Sequence, residues 1–196
     1  SLIGYISATC TAGLCGTVPG AAHQVAISVF WVASFLPEPM STAAQALVAR
    51  DLGGPLPSEK EVDSRNGHRF SPRRIRMLTR ALYSISFSMS LSMALVTGLA
   101  LTNSASLRAL SSDPLVRSTI KTIAPYAMIS QVFCAMSSLS EGICVGAGRV
   151  RHLPTLMVAS TLLIRLTLKV VLKQELGLIG VWQSLTLFFA SRVLGH

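Results

Sequence analysis

The sequence predicts an all-α membrane protein, a six-transmembrane-helix bundle. Composition points there first. The 196 residues are 51% hydrophobic and 13% charged, where an ordinary soluble domain carries roughly 25% charged residues. Mean hydropathy is +0.56. The charge is also unevenly spread, since eight of the 17 Lys and Arg fall between Arg50 and Arg80. Outside that stretch the chain is a series of apolar runs, several longer than the ~18 residues that mark a transmembrane helix. Such a surface excludes a soluble globular enzyme, and the apolar content excludes a disordered chain.

Six runs are expected to be spans, at about 1–18, 22–49, 77–101, 115–145, 153–172 and 178–194. A helix needs ~20 residues to cross a bilayer core of ~30 Å, which the first and last runs barely reach. The first is rich in Gly, Ala, Ser and Thr, and Val18-Pro19-Gly20 is expected to close it. The second and fourth are longer than a crossing needs, so they should tilt, kink or protrude. In the third, Ser84, Ser86, Ser88, Ser90 and Ser92 alternate with apolar residues, a period of two that suggests a strand. A lone strand cannot satisfy its backbone in lipid, so a helix is preferred. Its serines then form two small-residue rows, Ser84/Ser88/Ser92 and Ser86/Ser90, and packing on two sides is expected. Pro154 suits the start of the fifth run. Residues 50–76 are the one truly polar stretch and are read as a loop. The chain opens at Ser1 inside an apolar run, which suggests a piece of a longer polypeptide.

Net charge is +9 and the isoelectric point about 10.1. The basic residues lie between apolar runs, so they report membrane orientation and not nucleic-acid binding. The side of the segment Arg50 to Arg80, Arg149, Arg151 and Arg192 collects 11 basic residues, against five on the other side. That bias puts the loop and the C-terminal end in the cytoplasm or its topological equivalent. Arg165, Lys169 and Lys173 share one helix face and should snorkel to the far interface. Cys10, Cys15, Cys134 and Cys144 lie in apolar runs without metal-ligand spacing and read as small buried hydrophobes.

Ionisable residues inside a membrane are expensive and mark function. Two carboxylates stand out as ion-coupling candidates. Glu38 sits in Leu36-Pro37-Glu38-Pro39, 12 residues before Arg50, or ~18 Å along a helix. That spacing puts it deep in the hydrocarbon. The flanking prolines remove two backbone donors and should kink or break the helix. Broken helices with a polar residue at the break build midplane sites in transporters. Pairing with Ser or backbone groups of a neighbouring helix is the structural alternative. Glu141 lies eight residues before Arg149, ~12 Å from the cytoplasmic edge, and either carries an ion or fixes that end of the bundle. Gln45, Gln131 and Gln183 read as buried amides, interhelical glue or substrate contacts. Trp31, Tyr126, Phe133 and Trp182 are candidates for a cavity that takes an aromatic or cationic substrate, or for helix packing. His23 opens the second span, where an interfacial place is expected. No nucleotide-binding loop, hydrolase elbow or metalloprotease motif occurs, so no enzyme, cofactor or metal site is read, and transport would run on an ion gradient.

Several ordered motifs carry a family resemblance. Ala21-Ala22-His23-Gln24-Val25-Ala26 opens the second span, and Ala43-Ala44-Gln45-Ala46-Leu47-Val48-Ala49-Arg50, followed by Asp51-Leu52-Gly53, closes it. Then come Ser111-Ser112-Asp113-Pro114-Leu115-Val116, Glu141-Gly142-Ile143-Cys144-Val145-Gly146-Ala147-Gly148 and Gly177-Leu178-Ile179-Gly180-Val181-Trp182. In this order they resemble the second half of the multidrug and toxic compound extrusion (MATE) family, over about residues 20–190. The Pro-Glu-Pro context is most similar to the DNA-damage-inducible-like and plant plastid members.

The resemblance implies the C-terminal lobe of a twelve-helix antiporter. The other lobe of the same polypeptide would be its partner, with lipid around both. Such a protein exports organic cations, drugs or metabolites against protons or sodium, from the plasma membrane or an organelle, the plastid envelope included. Where one subgroup has a sodium-binding aspartate this chain has Cys134, so protons are preferred as the coupling ion. A non-transporting, truncated membrane scaffold is the alternative. A lipid-flipping relative is a third, though its basic, bilayer-facing cavity does not fit a chain that keeps its charge in loops.

Overall fold

The computed structural model describes residues 2–53 and 72–195. Among the described residues there are eight helices and no strand: α1 Leu2–Leu14, α2 Thr17–Phe35, α3 Glu38–Gly53, α4 Pro72–Thr102, α5 Ser104–Leu110, α6 Pro114–Gly146, α7 His152–Lys173 and α8 Gly177–Gly195. Five stretches are long and apolar enough to cross a membrane: Thr17–Asp51, Arg76–Thr102, Pro114–Gly146, His152–Lys173 and Gly177–Gly195. Their number and composition mark a multi-pass integral membrane protein. The sixth expected span, 1–18, corresponds to α1, whose 13 residues reach ~20 Å. Most of the expected loop, residues 54–71, lies outside the described residues. At its edges the helices go further than expected, with α3 reaching Gly53 and α4 starting at Pro72.

The boundaries follow local chemistry. The turn between α1 and α2 lies at Cys15-Gly16, not at Val18-Pro19-Gly20. Gly16 takes φ 126°, which only glycine adopts at little cost. Pro19 sits in the first turn of α2, where its missing N–H would have had no helical partner. Between α2 and α3 the chain breaks at Leu36-Pro37, and Glu38 becomes the first residue of α3. Asp113 caps α6 by accepting the Leu115 N–H at 2.8 Å, and Pro114 takes the first helical position. The short helix α5 is capped by Asn103, which accepts the Ala105 N–H at 2.8 Å.

Helix α6 is the axis of the bundle. It packs against α2, α3, α4 and α8, while α7 packs on α8 and α1. Small residues make the crowding possible. A Cβ on Gly146 would lie 2.5 Å from the Gln45 carbonyl oxygen, and one on Gly142 would strike the Ser41 carbonyl. The backbones of α3 and α6 therefore touch directly at two positions four residues apart, the close-approach pattern of small residues in membrane helices. Ser41 Oγ donates to the Ser138 carbonyl at 2.7 Å across the same seam. Hydroxyl pairs join α6 to its other neighbours, Tyr83 with Ser140 at 2.8 Å and Ser130 with Thr186 at 2.7 Å.

The main apolar core is aromatic, with Phe30, Trp182, Phe188 and Phe189 all buried. Large apolar side chains such as Val32, Leu99, Leu166 and Leu187 stand exposed on the outside, as helices facing lipid require. Of the five alternating serines of α4, only Ser86 and Ser90 are buried. Ser84, Ser88 and Ser92 are exposed, and Ser88 and Ser92 donate back to carbonyls of their own helix. Helix α4 thus packs through one of its two serine rows, a correction to the two-sided expectation. The cysteines also differ from expectation, since Cys134 is buried but Cys10 is exposed.

Gly146→Val should push α3 off α6 and destabilise the bundle by about 1–3 kcal/mol, the usual cost of overpacking. Gly13→Ala, whose new methyl meets nothing within 4 Å, is the matched control. Thermal unfolding in detergent checks the pair. Equal melting points for the two variants would contradict the direct backbone contact.

Candidate functional site

Three helix segments meet where α3 begins, α6 nears its end and α8 is in its last turns. Each contributes one charged residue: Glu38, Glu141 and Arg192. A cavity of about 360 Å³ is bordered by all three, with Ser41, Gln45 and Ser138 among its other walls. A second cavity of about 140 Å³ shares Glu38, Ser138 and Arg192, and adds the aromatic rings of Tyr5, Trp31, Phe35 and Phe189. Sequence position explains the meeting. The break at Pro37 redirects the chain so that Glu38 starts a helix instead of lying inside one. Gly142 and Gly146 then let that helix lie on α6, beside Glu141.

Arg192, read from the sequence only as one of the basic residues on the loop side of the membrane, is just 6% exposed. One Nη donates to Glu141 Oε2, and the guanidinium sits 5.8 Å from the centre of the Phe188 ring. Its Nε is buried and has no acceptor among the described residues. An uncompensated charge in an apolar bundle would cost several kcal/mol, so the pair with Glu141 is a condition of burying Arg192 at all. One signal could have found it: a single basic residue in the last span and a single acid in the fourth need each other.

Glu38 is exposed on the surface of the bundle. It makes no ion pair among the described residues. The Thr42 hydroxyl donates to the Glu38 backbone carbonyl at 3.4 Å. Among the described residues the carboxylate thus has no partner, and it borders both cavities. Glu141 is partly accessible, with 29% of its side chain exposed.

The other candidates separate. Trp31 lines the smaller cavity and lies against Tyr5 at 4.9 Å between ring centres. Gln45 lines the larger one and is exposed, as is Gln183, so the expectation of three buried amides holds only for Gln131. Gln131 exchanges hydrogen bonds with Ser34 at 3.3–3.4 Å and ties α6 to α2. Tyr126 and Phe133 pack against the main core and do not line either cavity. Trp182 is fully buried, its ring 5.7 Å from that of His23. His23 is itself buried, not interfacial, and shares a 3.2 Å hydrogen bond with Thr9 of α1. Among the described residues no group of three or more His, Cys, Asp or Glu comes together as a metal site.

With two carboxylates and one guanidinium, the three groups carry a net charge of −1 when ionised. Arg192 offsets one negative charge, leaving room for one cation or one proton. The rings of Tyr5 and Trp31 beside Glu38 add faces on which an organic cation can rest. No protein-family model, curated protein or solved structure matches the chain.

Removing one member of the Glu141–Arg192 pair should destabilise far more than removing both. Glu141→Leu strands a buried guanidinium and should cost on the order of 3 kcal/mol, most of which the double variant E141L/R192M recovers. Melting temperatures in detergent test this. A double variant no better than the single would contradict the pairing.

Proposed function

We propose that the chain is one lobe of a secondary antiporter of the MATE type, exchanging protons for organic cations. Glu38 is the carboxylate whose negative charge holds the cation and which proton uptake at the site takes away from it. The observation that carries this reading is a carboxylate at a helix break, without an ion pair among the described residues, on the rim of two cavities and beside a buried guanidinium already taken by Glu141. Broken helices with polar groups at the break are the usual way a transporter places a site within its bundle. The ordered motifs from His23-Gln24 to Gly180-Val181-Trp182 support the same family.

In this reading Glu38, when ionised, attracts a cationic substrate whose apolar part rests on Trp31 and Tyr5. Proton uptake at the site takes that charge away from the substrate, which then leaves. A second lobe of the same polypeptide closes the far side of the cavity, and rocking of the two lobes exposes Glu38 to each side of the membrane in turn. No covalent chemistry, cofactor or metal is needed, because the free energy comes from the proton gradient. The basic bias around loop 50–76 orients that loop toward the cytoplasm.

Export of ethidium, a flat aromatic cation, from vesicles carrying the intact polypeptide tests the assignment. Glu38→Gln should abolish export driven by an imposed pH gradient while leaving the amount of protein in the membrane unchanged. Glu38→Asp should retain part of it. Undiminished export by the glutamine variant would remove Glu38 from the mechanism.

A further inference from the structure

We propose that Arg192 changes partners between Glu141 and Glu38, so that a proton taken up by Glu141 evicts a cation from Glu38. This rests on the antiporter reading and adds the residue that links proton to substrate.

The contact with Glu141 leaves capacity unused. A guanidinium has five donors in a planar fork and a carboxylate two acceptor oxygens, so a settled pair is commonly two-pronged. Here a single Nη reaches a single Oε, and Nε has no acceptor among the described residues. A second carboxylate, Glu38, borders both cavities that Arg192 borders and has no cation of its own among the described residues. All three charged residues border the cavity of about 360 Å³, so the guanidinium has space to turn. The titratable groups around it are Glu38 from α3, Glu141 and Cys134 from α6, and Tyr5 from α1. The linings from α2 and α7, namely Trp31, Ser34, Phe35 and Met157, bring no charge.

Two arrangements of equal charge follow. In the first, Arg192 holds ionised Glu141, and Glu38 binds a cation. In the second, Glu141 has taken a proton, Arg192 has moved to Glu38, and the cation has gone. Each arrangement is neutral as a whole, which matters in a medium where net charge is costly. One proton in at Glu141 then corresponds to one cation out at Glu38, although the two never share a carboxylate. Arg192 is a positioning residue in this scheme, acting on the substrate through Glu38.

Equilibrium binding of ethidium to the purified intact protein, measured across pH, tests the scheme, with melting temperatures confirming that each variant is folded. Glu141→Gln mimics permanent protonation and should weaken binding by roughly tenfold or more, the scale of ordinary coupling between sites. Adding Arg192→Gln to it should restore binding, since nothing then competes for Glu38. Arg192→Gln alone should bind ethidium with a flatter pH dependence than wild type. Ethidium affinity unchanged by Glu141→Gln, or a wild-type pH dependence in folded Arg192→Gln, would overturn the partner exchange alone. Wild-type protein that binds no ethidium, or binds it unchanged after Glu38→Gln, would overturn the antiporter reading with it.

Discussion

A guanidinium inside an apolar bundle must meet a negative charge before the helices can close around it. Arg192 meets Glu141, and much of the architecture near the site follows from bringing these two together. Helix α8 has to lie against α6 at that level, and α7 against α8. The Phe188 face covers the guanidinium from its own helix. Glu141 in turn has to remain reachable while its neighbour Gly142 admits the backbone of α3. One ion pair and one glycine seam thus fix where α3 begins, and so where Glu38 stands.

The chemistry that results is an arithmetic of charge. Two acids and one base line one cavity of a largely apolar bundle. If Glu38 lay buried with a cation of its own, the site would be a structural knot. If Arg192 were absent, two carboxylates would repel each other and favour protonation together. The observed set holds a single uncompensated negative charge beside aromatic faces. That arrangement suits a reversible meeting with one cation, and the broken α2–α3 element supplies the place for it.

Much of this was legible in the chain and some of it was not. Apolar runs of crossing length marked the long helices, because lipid leaves the backbone few other options. Pro37 and Pro39 announced the break. What the residues alone could not show was facing. Gln45 and Gln183 look like buried amides in a linear reading, yet both turn outward, while His23, at an expected interface, turns inward to Thr9. Arg192 lies near the end of its span, where basic residues ordinarily meet headgroups, and only its acid partner on another helix pulls it inside. The Ser84–Ser92 rows gave the right close-packing chemistry but could not say that a single row would be used. Such facts depend on rotation about a helix axis, which is set by neighbours far away in sequence.

The most direct measurement is the number of protons released when a cation binds. Purified intact protein in weakly buffered detergent solution is titrated with ethidium while a pH-sensitive dye reports the bulk. The account predicts about one proton released per cation bound, since the site holds a single negative charge beyond the one Arg192 offsets. Cation binding with no proton release at any pH would contradict it.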